Sequence, residues 1–374
     1  MVKSLYPLES LYIHFPFCRH LCNYCDFYKS LKENEGQVQD FNEYFTEMFS
    51  NHENFLKKES YAWGPLKTLY IGGGTPSLWG LSGAELIQNL LREKLKGFTN
   101  NYEFTLEVNP GGWKKEELKA WVDAGVNRIS FGVQSYNDLF LSHLDRVHRK
   151  KEINETLKYL QDLKINYSVD FMLGLPFSEK DKRNILEELN DILTWDPPHF
   201  SVYILTTKNQ YIHKQGLPSE EWIENEYLEV SNLLKEKGYN HYEVSNFAKP
   251  GFESNHNLRY WRSESVAALG PSASGLLVEK NLRYKWKNKN LDFETEQLTN
   301  EQMNLEKIYL MLRTFEGIKG EEFYQNQQLD KFLKIKENWI NNGLALQTID
   351  SQLILNSKGM LQMDHLMNDL FGIA

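Results

Sequence analysis

Short apolar segments alternate with longer amphipathic segments through the first 237 residues of this 374-residue chain. The apolar segments have the length and composition of buried strands, and the segments between them place apolar residues at helical spacing. The predicted strands span residues 10–15, 67–71, 102–108, 127–133, 166–173 and 200–205. The predicted helices span residues 38–56, 82–93, 114–124, 152–163, 179–194 and 219–237. Six strand–helix units predict an α/β fold with a parallel sheet, either a barrel, a partial barrel or an open doubly wound sheet, because parallel strands need helical crossovers.

Polar residues lie where several of these predicted strands end. Glu107 is near the end of the third strand, Gln134 follows the fourth, and Asp170 lies in the apolar run of the fifth. An unpaired buried carboxylate is unfavourable, so Asp170 should have a ligand or a partner. Taken singly, Glu107 and the more distant Arg146 are explained by ordinary ion pairs. Functional sites in parallel α/β folds gather at the carboxyl ends of strands, so we expect these side chains to meet.

All three cysteines of the chain, Cys18, Cys22 and Cys25, lie in the loop after the first predicted strand. Their C-x3-C-x2-C spacing suits an iron–sulfur cluster, whose irons are held by thiolates. Three ligands would leave one iron of a four-iron cluster open to a non-protein partner. There are two alternatives. Structural core thiols would be scattered along the chain, and a zinc site would need a fourth ligand from His14 or His20.

The second predicted strand ends in the glycine run Gly72–Gly74, followed by Thr75 and Pro76. The run lacks the ending of a phosphate loop and the spacing of a dinucleotide-binding fingerprint. A tight turn would explain it. The alternative is a bare backbone edge that approaches an amino-acid-like ligand and binds its amino and carboxylate groups.

Together these motifs resemble the radical S-adenosylmethionine (SAM) superfamily, whose cluster motif is C-x3-C-x2-C with an aromatic residue, here Tyr24, before the last cysteine. Nearly the whole chain resembles the oxygen-independent coproporphyrinogen III oxidase-like branch. The matching segments are YIHFPFCRHLCNYCDFY, YIGGGTPS, FTLEVNP, RISFGVQS, LDRVH, DFMLGLP, HFSVYILT, LRTFEGI and SKGM.

The resemblance implies a partial (β/α)6 TIM-like radical SAM barrel that binds a [4Fe–4S] cluster and SAM. It implies that the cluster ligands are Cys18, Cys22 and Cys25. The residues that it places around SAM are Tyr12, Gly73, Gly74, Thr75, Glu107, Gln134, Arg146 and Asp170.

Two features distinguish groups within this branch. The coproporphyrinogen dehydrogenases carry a fourth cysteine two residues after the third, where this chain has Phe27. Residues 256–261 read HNLRYW and fit the HNxxYW motif of the HemW group of heme chaperones. This resemblance implies that the protein binds heme and delivers it to acceptors such as respiratory enzymes. Histidine is a frequent haem ligand, so His256 is the candidate; a buried structural histidine is the alternative.

Two other activities stay open at this point. The first is oxygen-independent coproporphyrinogen III dehydrogenation, which decarboxylates propionates by radical chemistry. The second is another radical SAM reaction on a porphyrin. Whether SAM is cleaved is not determined by these motifs.

The composition and charge limit the classes of partner and the cellular location that we expect. The formal net charge is −9 and no long Lys/Arg run occurs, so we expect no nucleic-acid partner. The N-terminal stretch does not have the pattern of a secretory signal, and no apolar run reaches the length of a membrane span. Clustered thiols then favour a reducing compartment, and we expect a cytoplasmic protein. Peripheral contact with membrane-bound acceptors and a homodimer are compatible with this expectation.

The strand–helix rhythm ends after residue 238. We predict three units, a barrel over residues 1–238, an extension with the candidate heme-binding segment over 239–295, and a small C-terminal winged-helix-like α+β domain over 296–374. Residues 267–274 are predicted to form a loop and residues 291–302 a polar linker. The predicted order in the last unit is helix, helix, short hairpin and helix, and its acidic balance favours a cap over the barrel rather than a DNA reader.

Overall fold

A nine-stranded sheet forms the centre of the computed structural model, which describes residues 5–208, 210–288 and 290–373. The strands are β1 (Tyr6–Phe15), β2 (Phe17–Cys18), β3 (Ser30–Leu31), β4 (Tyr61–Gly73), β5 (Phe98–Val108), β6 (Arg128–Gln134), β7 (Asn166–Leu173), β8 (His199–Ile204), β9 (Asn240–Glu243), β10 (Asn246–Ala248), β11 (Ala267–Leu269), β12 (Ser274–Leu277), β13 (Leu282–Trp286), β14 (Phe293–Gln297), β15 (Ala345–Gln347) and β16 (Leu353–Leu355). The helices are α1 (Gly36–Lys58), α2 (Gly80–Glu93), α3 (Lys115–Asp123), α4 (Asp138–His143), α5 (Lys150–Leu163), α6 (Ile185–Leu193), α7 (Glu220–Glu236), α8 (Asn255–Trp261), α9 (Asn300–Leu312), α10 (Gln327–Asn341), α11 (Ser357–Leu361) and α12 (Met363–Phe371).

The central sheet has the strand order β11-β1-β4-β5-β6-β7-β8-β10-β9 within the described part of the chain. Strands β11 through β8 in this order pair in parallel, whereas β10 is antiparallel to both β8 and β9. All six predicted strands are confirmed as β1 and β4 to β8, each followed by a helix before the next parallel strand. The predicted parallel α/β fold is therefore confirmed, and the sheet forms a partial barrel.

The predicted loop over residues 267–274 is wrong in its first part. Residues Ala267–Leu269 form β11, which pairs in parallel with β1 at the edge of the sheet and is fully buried. Small residues suit this position because the chain passes very close to β1. A Cβ atom on Gly270 would lie 2.2 Å from the carbonyl oxygen of His14. Close packing, rather than flexibility, explains the small-residue composition.

The predicted linker over residues 291–302 is also wrong. It contains β14, which pairs antiparallel with β13 in a three-stranded sheet with β12, and then the start of α9. Four of the five β14 residues are exposed, and Phe293 alone of the five packs inward, with its ring 5.0 Å from that of Trp286. An edge strand with little burial has the composition of a linker, which explains the error.

The C-terminal unit has its own apolar core, which includes Ile308, Phe332, Trp339 and Leu370. Its elements are α9, α10, the β15–β16 hairpin, α11 and α12, so the predicted order is observed except that two helices, not one, follow the hairpin. The sheet itself includes β9, β10 and β11 from the segment that follows residue 238. The domain boundaries at residues 238 and 295 stay predictions. Among the helices of the described residues, none combines the length and apolar character needed to cross a membrane.

Candidate functional site

A short two-stranded parallel sheet closes the base of the cysteine loop. Strand β2 pairs with β3, so that the loop between them carries Cys22 and Cys25 and begins at Cys18. The glycine run is hydrogen-bonded to the start of this loop. The backbone N–H groups of Gly74 and Thr75 donate to the carbonyls of Phe15 and Phe17 at 2.7 and 2.8 Å. The loop is thereby held against the carboxyl end of β4.

The two candidate glycines have a structural reason to be glycine. A Cβ atom on Gly74 would lie 2.6 Å from the carbonyl oxygen of Phe17, and one on Gly73 would lie 2.7 Å from the His14 ring. Gly73 also has a φ of 112°, which L side chains rarely adopt. The absence of side chains therefore lets the glycine run approach the cysteine loop, and a close approach to a ligand would be additional.

Hydrogen-bond donors contact two of the three cysteine sulfurs. The Thr75 hydroxyl donates to Cys18 Sγ at 3.6 Å, and the Arg146 guanidinium donates to Cys22 Sγ at 3.8 Å. Desolvation raises the pKa of the buried Cys18 thiol, while the Thr75 hydrogen bond opposes that rise. The Lys29 ammonium donates to the carbonyl of Cys25. These donors and cations suit a group that carries thiolate ligands.

The histidines that could complete a zinc site have other partners. His14 Nε2 lies 2.8 Å from the carbonyl oxygen of Tyr28, and His20 Nε2 lies 2.9 Å from Asp145 Oδ2. Within residues 5–208, 210–288 and 290–373, no group of three or more His, Cys, Asp or Glu side chains is arranged to hold a metal ion. The Nε2 atoms of both histidines therefore face partners other than the three cysteines.

Asn109 is a site residue that the motif analysis missed. Its Nδ2 donates to Thr75 Oγ1 at 3.0 Å, and its Oδ1 accepts from Arg146 Nη2 at 2.5 Å. Arg146 also donates to the carbonyl of Gly132 at 3.2 Å. Asn109 thus joins the donor on Cys18 to the donor on Cys22. Its position directly after β5, in the segment FTLEVNP, was the available signal.

A cavity of about 400 Å³, here called the barrel cavity, opens at the carboxyl ends of β4 to β8. The predicted residues that line it are Cys25, Gly73, Gly74, Glu107, Gln134, Arg146 and Asp170. Sequence-distant strand ends therefore meet, as the parallel topology required. Thr75 is outside this lining and contacts the site through Cys18 and Asn109.

Two of the carboxylates that line the barrel cavity, Glu107 and Asp170, differ in their partners. Glu107 accepts hydrogen bonds from the Tyr70 hydroxyl at 2.9 Å and the Gly73 N–H at 3.1 Å. Desolvation raises the pKa of Glu107 to about 7, and the nearby Asp170 adds to the rise. Asp170 accepts from the hydroxyls of Ser130 and Ser168 at 2.7 and 3.1 Å, which are the partners that its burial required.

Gln134 occupies an unusual backbone conformation at the end of β6. Its φ is 68°, and the pairing of β6 with β7 shifts register between Gly132 and Gln134. Left-handed backbone at a non-glycine residue is unfavourable and is concentrated at functional sites. The bulge places Gln134 in the lining of the barrel cavity instead of continuing the strand.

A second cavity of about 410 Å³, here called the histidine cavity, contains Tyr12 and His256 in its lining. Its wall is shared with the barrel cavity through Asp26, Phe27, Tyr70 and Glu107. Phe27, which stands where the dehydrogenases have a fourth cysteine, is 69% exposed and lines both cavities. The candidate SAM and heme residues therefore border one continuous region.

His256 is buried, with 1% of its surface exposed, yet one of its nitrogens has no partner. Nδ1 lies 2.9 Å from Thr68 Oγ1, whereas Nε2 makes no hydrogen bond. The ring stacks on Tyr70 at 5.2 Å and meets Tyr260 edge-on at 5.3 Å. Desolvation lowers the pKa of His256 to about 3, so the imidazole is neutral at physiological pH. A neutral imidazole with one free nitrogen is a suitable iron ligand.

Glu103 positions this histidine and was not found from the sequence. Its carboxylate accepts from the backbone N–H groups of Asn255 and His256 at 2.8 and 3.1 Å, at the first turn of α8. The Ser254 hydroxyl donates to the same carboxylate at 3.4 Å. Glu103 lies on β5, 151 residues before Ser254, so no local pattern connects the two segments.

Comparisons with known proteins agree with this geometry. The family model described as the Radical SAM superfamily matches residues 12–189. Heme chaperone HemW of Bacillus subtilis is 31% identical, and the alignment covers 98% of this chain and 98% of that protein. Heme chaperone HemW of Lactococcus lactis is 32% identical over 95% of this chain and 93% of that protein. The chain belongs to the HemW family of the radical SAM superfamily. The predicted family is therefore confirmed.

A solved structure of coproporphyrinogen III oxidase (HemN) from Escherichia coli has the same fold. It aligns with a TM-score of 0.80 at 20% sequence identity and covers 98% of this chain and 91% of that chain. Membership of the radical SAM superfamily implies a [4Fe–4S] cluster and SAM as cofactors. The assignment of individual ligands to residues stays a prediction.

Proposed function

We propose that this protein is a heme chaperone of the radical SAM fold, which holds a [4Fe–4S] cluster, SAM and heme and delivers heme to acceptor proteins. The observation that carries the proposal is the partnerless Nε2 of His256, buried beside a cavity that adjoins the cysteine loop. The names of the two full-length relatives describe heme chaperones and support the same reading.

In this proposal the cysteine loop holds the cluster through Cys18, Cys22 and Cys25. The fit rests on the surrounding donors, because the Thr75 hydroxyl and the Arg146 guanidinium both point at sulfur. The cluster and SAM together supply one-electron and radical chemistry when bound. The protein contributes position, charge and shielding from water.

The barrel cavity would take SAM. Glu107 offers a carboxylate for the ammonium group, and its raised pKa is what a desolvated carboxylate has before a cation arrives. Gly73 and Gly74 present backbone without side chains, and Gln134, Arg146 and Asp170 provide the remaining polar wall. Tyr12 lies on the neighbouring wall, in the histidine cavity.

His256 would bind the heme iron through Nε2. The hydrogen bond between Nδ1 and the Thr68 hydroxyl orients the ring, and Nε2 would act as the lone-pair donor in the tautomer that carries the proton on Nδ1. Tyr70 stacks on the ring and Tyr260 meets it edge-on, and these two contacts limit its rotation. We propose that this protein is cytoplasmic and that its acceptors include respiratory proteins, which it would contact at the membrane surface. The same hypothesis includes a homodimer of this chain.

The test is anaerobic reconstitution with iron, sulfide, SAM and ferric heme, followed by absorption spectroscopy and product analysis. We expect a Soret band that is weakened or shifted in His256→Ala, with the cluster absorption retained. The matched control is His365→Ala, because His365 is exposed on the C-terminal unit and should leave both spectra unchanged.

Three outcomes would contradict parts of the proposal. An unchanged Soret band in His256→Ala would remove His256 as the ligand. Conversion of coproporphyrinogen to protoporphyrinogen would replace the chaperone proposal with the dehydrogenase. A change in the mass of heme, coupled to SAM cleavage, would indicate a different radical SAM reaction.

A further inference from the structure

An apolar groove of about 720 Å³, here called the Trp261 groove, lies where α8, the three-stranded sheet and the C-terminal helices meet. Its walls come from elements that are distant in sequence. They include Trp261 of α8, Leu276 of β12, Leu305 and Tyr309 of α9, and Phe371 of α12. Phe371 is 47% exposed and adds its ring to this apolar surface.

The Trp261 groove continues from the histidine cavity. Tyr260 and Ser274 line both spaces, so they form the wall between them. The Tyr260 ring is the one that meets His256 edge-on. The groove therefore starts one side chain away from the proposed iron ligand, at a junction between two units, where small-molecule sites are common.

The charged groups at the groove are already paired. Arg283 donates to Glu306 at 2.5 Å and to Glu296 at 2.9 Å, and Glu264 pairs with Arg259. An anionic group inside the groove would have to compete with Glu306 for the guanidinium. The groove is therefore suited to an apolar ligand surface, and it is unsuited to the charged amino-acid portion of SAM.

We propose that the Trp261 groove binds the apolar edge of the porphyrin macrocycle, with the carboxylate side chains of the porphyrin directed to solvent. This inference rests on the proposed heme-binding function and adds a place for the macrocycle. Aromatic and aliphatic side chains from several elements supply contact area without any metal ligand. Binding of the macrocycle at the groove is consequently independent of iron.

That independence defines the experiment. Metal-free protoporphyrin IX is titrated into the protein with its reconstituted cluster, and porphyrin fluorescence and absorption report binding. Phe371→Glu and Leu305→Glu should each weaken binding about tenfold or more, because each puts a charge against the bound macrocycle. The matched control is Leu346→Glu, since Leu346 is 53% exposed on β15 in the same C-terminal unit and outside the groove.

A second comparison tests whether heme and metal-free porphyrin bind at the same place. Ferric heme added to the wild-type protein should displace bound metal-free protoporphyrin IX, because the two macrocycles would share the groove and differ only in the iron. Circular dichroism and cluster absorption verify the fold of each variant. If one groove variant loses its cluster, the other still tests the proposal.

The results that would overturn the inference differ from those that would overturn the proposed function. If the wild type binds ferric heme but not metal-free porphyrin, or if both groove variants bind porphyrin as tightly as the wild type, the groove is not the macrocycle site. A groove variant that changes only self-association in sedimentation would assign the groove to a second copy of the chain. Failure of the wild type to bind ferric heme would instead contradict the proposed function.

Discussion

Replacing Glu103 with glutamine should loosen the helix that carries the proposed heme ligand. The substitution keeps the size of the side chain but removes its charge. Glu103 is 5% exposed, and its carboxylate accepts from two backbone N–H groups of α8 and from the hydroxyls of Ser254 and Thr105. The Thr105 hydroxyl also accepts a hydrogen bond from the buried Arg128 guanidinium. In the variant, Arg128 therefore loses the negative charge of Glu103 nearby.

The magnitude follows from these bonds. Hydrogen bonds to a charged group contribute about 1.5–3 kcal/mol each to stability. A glutamine keeps one acceptor oxygen and turns an amide donor toward the remaining N–H groups, so one strong bond is lost. We therefore expect the free energy of unfolding to fall by about 2–3 kcal/mol. This is smaller than the loss for breaking a direct buried ion pair, roughly 3–5 kcal/mol.

Urea unfolding measures the stability change, and ferric-heme titration measures its effect on the site. Glu103→Gln should weaken heme binding or alter the Soret band, because His256 directly follows Asn255 in the first turn of α8. The control is Glu93→Gln, where an exposed carboxylate pairs with Arg92 and should contribute no more than about 1 kcal/mol. If Glu103→Gln matches the wild type in both stability and heme spectrum, the positioning role of Glu103 is refuted.

Three further predictions concern the loop, the cavity carboxylate and the buried histidines. Gly74→Ala should lower the cluster content measured by iron analysis, because its Cβ would overlap the Phe17 carbonyl. The control is Gly97→Ala, where the added Cβ meets no neighbouring atom and only the positive φ of the backbone is unfavourable. SAM affinity measured by calorimetry should rise as the pH increases from 6 to 8, since the carboxyl of Glu107 loses its proton near pH 7; in Glu107→Gln this rise should be absent. Desolvation lowers the pKa of His52 to about 3, so only the unfolded state takes up its proton as the pH falls below 6.5. Stability should then decrease by about 1 kcal/mol for this histidine between pH 7 and pH 5.5, and a His52→Gln variant with an unchanged pH slope of unfolding would contradict this account.

Much of the fold could be predicted because its determinants are local. Short apolar strands alternate with amphipathic helices along the chain, and this pattern can be read from neighbouring residues. It identified β1 and β4 to β8. The errors fell where local pattern and tertiary role differ. Residues Ala267–Leu269 are small because β11 packs tightly, and β14 is polar because it is an exposed edge strand. In both cases composition reflected the surroundings rather than the backbone conformation.

The candidate site also has features that the sequence predicted and features that depend on tertiary contacts. The spacing of Cys18, Cys22 and Cys25 and the parallel topology together predicted that cysteines and strand-end residues would share one end of the barrel. Cys25 does line the barrel cavity with the strand-end residues, whereas Cys18 and Cys22 contact the site through Thr75 and Arg146. The role of Asn109 could not be predicted, because it depends on the distance between Thr75 and Arg146. The role of Glu103 depends on a contact across 151 residues with the start of α8.

The sequence alone indicated the family through its resemblance to known motifs. It predicted the parallel sheet and the set of chemically capable residues because these depend on periodicity and spacing along the chain. The tertiary structure decided which of those residues meet. It showed that His14 and His20 are engaged elsewhere, that Asp170 has hydroxyl partners, and that His256 keeps one nitrogen free. These properties depend on burial and hydrogen-bond partners supplied by remote segments, and folding alone brings those segments together.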